Sequence, residues 1–442
     1  MVEQLICNQW VRGSTPLAGS KINIIIKKKI NTELLSRSIL DWANSSWPTV
    51  IITFVFSTFF IKHIAVNEIS GTALWGYTLA ISGLFLAFLA PILGIISDII
   101  KKRKIFLIIS SVATCFFSVL LWFADPSKNI LICFLIIIAL GNICFEISTV
   151  FYNALLKKVS NENNIGKISG IAWSLGYIGG ILCLLICFLF FINPNEPFFG
   201  YLDKEKFEHI RIIGPFIGFW FLIFSIPSFL FIKEQKITKK INLNLIKNIK
   251  KTFYSIKTTT LKFLISRMLY TDGLNTLFIF GGIYAATLFK MDFGEIILFG
   301  IALNIFAGIG SIIFAFFDDR YGPRKIIKLC LLALIIICLL ILLINNKIYF
   351  WFLGMGIGLF IGGLQSTSRS CMSRMTEKNN QSQMFGIYAL SGKITAFLGP
   401  FFVAILTSTF NNQKAGFFSI IIFLILGYLI IRNLNLPKGS HC

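Results

Sequence analysis

Apolar runs long enough to cross a bilayer as helix recur about twelve times along this chain of 442 residues, and no other feature restricts its fold so severely. A hydrocarbon core roughly 30 Å thick takes about 20 helical residues to span. With a mean hydropathy of +0.80 and 56% hydrophobic against 14% charged residues, no globular core could hide the apolar surface, so an ordinary soluble protein is excluded. Strand-like alternation is absent, and backbone in lipid must satisfy its own hydrogen bonds, so a helical bundle is expected rather than a barrel. The spans read as 33–60, 73–97, 105–124, 129–154, 168–192 and 213–232, then 263–289, 295–317, 326–345, 348–366, 384–409 and 415–431.

The net charge of +22 would point to nucleic acid in a soluble chain, but here the placement of the charges decides. With a cytoplasmic amino terminus, 31 of the 41 lysines and arginines fall in the tails and even-numbered connections, counting the span ends that border them; eight fall in the opposite connections, and Arg267 and Lys393 lie within spans. That is the positive-inside pattern, with both termini cytoplasmic. Separate short basic loops do not make the contiguous patch that nucleic acid needs, so no nucleic-acid partner is expected. Residues 1–32 have no signal-peptide core and read as a cytoplasmic tail. Between the halves, 233–262 carries nine lysines and one acid, with Leu245, Ile249, Phe253 and Ile256 at helical spacing. This stretch is expected either as an amphipathic helix on the inner leaflet or as a solvated linker.

The chain is written twice. Asp41 and Asn44 recur as Asp272 and Asn275, both pairs 231 positions apart; Asp98 recurs as Asp319 after 221, and Gly170 as Gly386 after 216. Three landmarks in the same order at similar offsets imply two parallel six-helix repeats, an arrangement that places a solute site near mid-membrane between the halves. The predicted fold is thus all-α, with twelve transmembrane helices in two pseudo-symmetric six-helix bundles at 33–232 and 263–431, and a cytoplasmic tail at 432–442.

The connections after spans two and eight resemble the G-x-x-x-D-[RK]-x-G-x-[RK] signature of the major facilitator superfamily. The first copy keeps Gly94 and Asp98 but has Ile99 and Lys101 where the signature has a basic residue and glycine; the second keeps Asp319, Arg320, Gly322 and Arg324 but has Ala315. A small residue permits close helix approach, and the aspartate suits an orphan helix amino terminus or a basic partner, so these residues are candidates for a cytoplasmic gate. A finer resemblance covers most of 33–431. It rests on Asp41-Trp42-Ala43-Asn44-Ser45, Phe151-Tyr152-Asn153-Ala154, Ser169-Gly170 with Trp173, Gly176-Tyr177 with Gly179-Gly180, Tyr270 with Asp272-Gly273 and Asn275-Thr276, Gln365 with Ser368-Arg369-Ser370, and Phe385-Gly386 with Tyr388 to Lys393. Together these are similar to the vacuolar effluxer-like, or "unknown major facilitator", family. The resemblance implies transport; eukaryotic members are linked to amino-acid efflux from the vacuole, and bacterial members have no settled substrate.

A charge at the bilayer centre costs at least roughly 2.5–3.5 kcal/mol, so charges inside spans need a partner or a wet cavity. Asp41, Asn44, Asp272 and Asn275 are expected either to line the pathway, with the matched acids of helices one and seven facing each other, or to form a structural polar network. Glu146 is either a proton-coupling acid or a helix-pairing partner for a base such as Lys393. Arg369, one turn from Gln365, and Lys393 would make a cationic pair that suits an anionic group, unless Arg369 serves only the positive-inside bias. The scattered cysteines, with no CxxC pair, read as core thiols, and neither a metal site nor a cofactor is expected. No phosphate-cradling loop or nucleophile set is evident, so enzymatic activity is not expected. The expectation is a monomeric secondary transporter of small polar solutes in a bacterial cytoplasmic membrane, with amino acids the leading cargo and proton coupling an open option. A sugar, nucleoside or drug carrier, or a membrane sensor or channel, is the alternative.

Overall fold

A computed structural model of the chain describes residues 32–127, 130–192, 200–232, 256–291 and 293–439. Twelve long helices run through them and no strand occurs among them. They are α1 Thr32–Ile64, α2 Glu68–Ile100, α3 Arg103–Phe123, α4 Leu131–Val159, α5 Ile165–Ile192, α6 Glu208–Phe231, α7 Thr258–Leu288, α8 Phe293–Tyr321, α9 Pro323–Leu343, α10 Lys347–Met375, α11 Lys378–Phe410 and α12 Gln413–Arg432. Eleven are long and apolar enough to cross a membrane; α7, 31 residues long, carries Lys262, Arg267 and Asp272.

Local chemistry sets the ends. The side chains of Asn67, Asn346 and Asn412 each accept a first-turn amide, from Ser70, Ile348 and Lys414 at 2.8 Å, as N-caps do. Pro323 opens α9, where its missing N–H has no partner to lose. Before it stands Gly322 at φ 85°, ψ 152°, a region open essentially to glycine alone. The matching position 221 residues earlier is Lys101, at φ 53°, ψ 31°. Both copies of the signature therefore need a residue of positive φ at this turn, and the first copy meets the need with lysine at a cost of roughly 1–2 kcal/mol.

Helix packing repeats the duplication. In the first half α1 packs on α5 and α6, α2 on α4, and α3 on α4 and α6; in the second, α7 packs on α11 and α12, α8 on α10, and α9 on α10 and α12. One large apolar cluster lies within the first half, and a second fills the second half and reaches across to Leu86 and Ala90 of α2 and Val150 and Ala154 of α4. The four largest contacts between the halves obey the same two-fold logic: α2 with α11 and α8 with α5, α4 with α11 and α10 with α5. The side of the bundle on which α1 begins and α12 ends is called the terminal face below.

Some boundaries differ from those read in the sequence. The helix of the seventh span begins at Thr258, inside the stretch assigned to the linker, because Thr258 to Lys262 simply continue its helical register; residues 233–255 of that linker, like the tail 1–31, lie outside the described residues. Arg432, assigned to the tail, is still helical, and beyond it Leu434 and Leu436 are buried rather than loose. Two helices are irregular. The backbone of α1 is π-helical over Trp47–Phe54 and Phe60–Ile64, and α11 breaks into turns at 394–397. Replacing Lys101 by glycine is expected to raise the thermal unfolding midpoint of the purified protein, whereas Gly322→Ala should lower it; light-scattering or tryptophan-fluorescence melts check the opposite signs.

Candidate functional site

Charged side chains threaded into apolar helices must meet partners, and here they meet between the halves. A cavity of about 230 Å³ opens among α4, α5, α7, α10 and α11, and its lining includes Glu146, Arg267, Asn275, Gln365, Arg369 and Lys393. Glu146 of α4 and Lys393 of α11 form an ion pair at 2.7 Å across the halves. Arg267 of α7 donates to the Tyr388 carbonyl at 2.5 Å and to Ser391 Oγ at 2.8 Å, with its guanidinium 3.4 Å from the Tyr388 ring centre. Tyr270 and Ser368 share a hydroxyl–hydroxyl bond of 2.8 Å. Lys393 sits at the last turn of the first segment of α11, just before the break, so the broken helix delivers its charge to mid-span.

Arg369 closes the cavity towards the terminal face. It donates to Asp41 Oδ2 at 2.9 Å, to Ser169 Oγ at 2.9 Å, to the Ser169 carbonyl at 2.5 Å and to Asn153 Oδ1 at 3.4 Å. All of these acceptors belong to the first half and Arg369 to the second, so one guanidinium ties α1, α4 and α5 to α10. On the opposite side Tyr177 donates to Gln365 Oε1 at 2.6 Å. Beyond it lies a second cavity of about 140 Å³, lined by Ser45, Thr49, Trp173, Tyr177 and Asn304 among others. Trp173 borders both chambers.

The sequence-selected residues divide accordingly. Glu146, Asn275, Gln365 and Lys393 come together on one cavity wall; Asp41, Asn44 and Asp272 are buried outside that lining. The matched acids do not face each other, contrary to expectation. Asp41 turns to Arg369, whereas the Asp272 carboxylate lies beside Thr395 in the α11 break with Oδ2 unpartnered among the described residues. Equal sequence position fixes equal depth, but the neighbour differs because α11 is broken where the carboxylate meets it. Both amide atoms of Asn44 are likewise buried without a partner there.

The gate residues form two latches on the terminal face. Asp98, at the end of α2, accepts the Ser382 and Gln383 amides at 3.3 and 2.9 Å, in the first turn of the α-helical segment Gln381–Lys393 of α11, and Arg103 Nε at 2.7 Å. Asp319, at the end of α8, accepts the Gly166 and Lys167 amides of α5 at 2.7 and 2.8 Å, and Arg374 at 2.6 Å. The amide pairs are 216 positions apart, the offset of Gly170 and Gly386, and free first-turn amides are natural anion sites. A Cβ at Gly94 would stand 2.5 Å from the Ser382 carbonyl, so only glycine lets α2 approach α11 this closely. The other signature residues do different work. Arg320 lies 5.3 Å from the Tyr321 ring centre, Gly322 makes the turn, and Arg324 donates to the Arg432 carbonyl at 2.7 Å. Sequence reasoning passes over Arg103, Arg374 and buried Asp318, which accepts from Ser370 Oγ. The two arginines are absorbed there into the positive-inside count, although Arg103 stands five residues after Asp98 at the last basic position of the signature; the closeness of Arg374 to Asp319, 55 residues apart, leaves no mark in the chain.

Known proteins share this architecture. The family described as "Vacuole effluxer Atg22 like" matches residues 59–441. An MFS-type transporter of Bacillus subtilis (strain 168), YxiO, is 26% identical over 413 residues, covering 91% of this chain and 95% of its own. Autophagy-related protein 22 of Kluyveromyces lactis is 22% identical over 417 residues, covering 83% and 80%. Among solved structures, the proton:xylose symporter XylE superposes with a TM-score of 0.74 at 12% identity, over 93% of this chain and 97% of that one. FucP in its outward conformation gives 0.70 at 14%, over 91% and 98%. At such identities the likeness shows the fold alone, the major facilitator fold.

The two latches differ in burial, with side-chain exposures of 12% for Arg103 but 4% for Arg374. Breaking a buried pair costs about 3–5 kcal/mol, and less as solvent reaches the cation left behind. Asp319→Asn is therefore expected to lower the melting temperature more than Asp98→Asn, as paired thermal scans in one detergent would report.

Proposed function

Because the chain belongs to the vacuole effluxer Atg22-like family and has the major facilitator fold, it is a membrane transporter of a small solute, and we propose that its cargo is an amino acid moved by alternating access. The single observation that carries this reading is the charge of the central cavity. Three cations, Arg267, Arg369 and Lys393, border it with one acid, Glu146, while Asp41 neutralises Arg369 from behind. The surplus is one positive charge, which suits a carboxylate. Asn275, Gln365 and Tyr270 supply neutral hydrogen-bonding groups for the rest of the solute, and Glu146 offers an ammonium a place by exchange with Lys393.

Size favours a small metabolite over a drug, since 230 Å³ lies below the roughly 300–1,000 Å³ of drug-sized pockets. The amide and hydroxyl groups would also serve a sugar, which is the second reading. Proton coupling is assigned to Asp272: it has no ion-pair partner among the described residues, so it can gain or lose a proton without breaking a salt bridge, beside a helix break that can respond. We place the terminal face in the cytoplasm of a bacterial inner membrane, on the positive-inside distribution, with the monomer as the working unit. Both latches are then closed towards the cytoplasm.

Counterflow of labelled amino acids in proteoliposomes, with and without a pH gradient, tests the reading. Saturable amino-acid exchange is expected; robust flux of a sugar with no amino-acid flux would reject the cargo. Lys393→Met should weaken apparent affinity for zwitterionic solutes by about tenfold or more, as loss of a charged hydrogen bond does. Asp272→Asn should abolish gradient-driven accumulation while sparing counterflow; accumulation with unchanged pH dependence would remove Asp272 from the coupling role.

A further inference from the structure

Arg37 stands one helical turn before Asp41 on α1 and is fully buried. None of its three guanidinium nitrogens has a hydrogen-bond partner among the described residues, and it lines neither cavity. Its one polar neighbour of note is the face of Tyr152, 4.3 Å from guanidinium carbon to ring centre. Arg369 lies over the same ring at 5.7 Å. Two buried guanidiniums thus share one phenol ring and one nearby carboxylate, Asp41, which bonds to Arg369 at 2.9 Å. An unpaired buried ion costs several kcal/mol, while a desolvated cation–π contact returns about 2 kcal/mol. In this conformation Arg37 is one partner short, and neither of the two cavities reaches it to bring an anion from outside.

We propose that Arg37 is the alternate partner of Asp41, a positioning residue that takes the carboxylate when Arg369 leaves it. The assignment follows from which residues travel together. Arg37, Asp41, Tyr152, Asn153 and Ser169 belong to the first half; Arg369 belongs to the second. Opening the terminal face separates the halves, so the bonds from Arg369 to Asp41, Asn153 and Ser169 break in one step. Asp41 would then be a buried, unpaired carboxylate but for Arg37, which is its neighbour on the helix surface at the i, i+4 spacing. One ion pair exists in each state. With the face closed it is Asp41 with Arg369; with the face open it is Asp41 with Arg37, and Arg369 faces the water that enters. Two states with the same number of buried pairs lie close in energy, as a carrier that cycles between them requires. The exchange holds for any solute, so it rests on the alternating-access reading and not on the choice of cargo.

Amide hydrogen exchange in full-length protein in nanodiscs tests it, read on peptides covering Gly166–Lys167 and Ser382–Gln383. Those amides are held by Asp319 and Asp98 only while the terminal face is closed, so their exchange rate reports the open population. Arg37→Met removes the partner of the open state and should slow exchange, whereas Arg369→Met removes the partner of the closed state and should speed it, each by roughly threefold or more. In an Asp41→Asn background Arg37→Met should have no effect. Arg37→Gln, which keeps length and polarity without charge, should reproduce the slowing if the methionine variant does not insert. Unchanged or faster exchange in the neutral Arg37 variants, or a slowing that persists in the Asp41→Asn background, would overturn the exchange of partners.

Discussion

An ion held in hydrocarbon needs a counter-group, and at four places in this protein a counter-group sits on the other half. Asp41 finds Arg369, Glu146 finds Lys393, and the carboxylates of Asp98 and Asp319 find the first-turn amides of α11 and α5. Helices in lipid gain nothing from burying apolar surface against each other, because acyl chains are as apolar as leucine. On the terminal face the halves are joined by polar pairs and by close backbone approach at glycines such as Gly94, beside the apolar contacts of Leu86, Ala90, Val150 and Ala154 with the second half's cluster. Such contacts have a property that an apolar seam lacks: water can take the place of each partner when the halves part. Adhesion and reversibility come from the same groups.

The duplication is faithful in geometry and loose in chemistry. Both latches set an aspartate against the start of a helix, yet the cation that completes each comes from a different place, Arg103 on the neighbouring α3 in one and Arg374 on α10 in the other. The basic residue of the signature itself, Arg320, lies over Tyr321. Ile99 in the first copy therefore leaves that latch with its cation, since Arg103 supplies one. What that copy lacks is the glycine, and Lys101 fills the position in the left-handed conformation.

Much of this was legible in the chain. Apolar runs gave the helices, the 231, 221 and 216 offsets gave the halves, and the depth of Glu146 left pairing with Lys393 as one of two alternatives. The rest failed for definite reasons. The donor on the far side of a latch is a backbone amide, which leaves no mark in the sequence. Arg37, Arg103 and Arg374 sit near span ends, where the positive-inside bias already explains a cation. Asp41 and Asp272 match in position, but sequence position sets height in the membrane and not the identity of the neighbouring helix. The break in α11 did leave a trace. Pro400 cannot donate to the carbonyl of Ala396, and glycines at 392 and 399 bracket the turn.

Helix α5 shows how these contacts are graded along the pathway. At its first turn Asp319 accepts two amides and a guanidinium; at Ser169 it is gripped by Arg369; at Tyr177 a single neutral hydrogen bond to Gln365 joins it to α10. Beyond that bond lies the uncharged 140 Å³ chamber. Charged hydrogen bonds contribute about 1.5–3 kcal/mol each and neutral ones about 0.5–1.5, so the hold on α5 weakens steadily away from the terminal face. Between that chamber and the central cavity stand Trp173 and this one hydroxyl–amide bond. Towards the terminal face stand Arg369 and, beyond it, both latches, so among the described residues the heavier closure of the central cavity lies on that side.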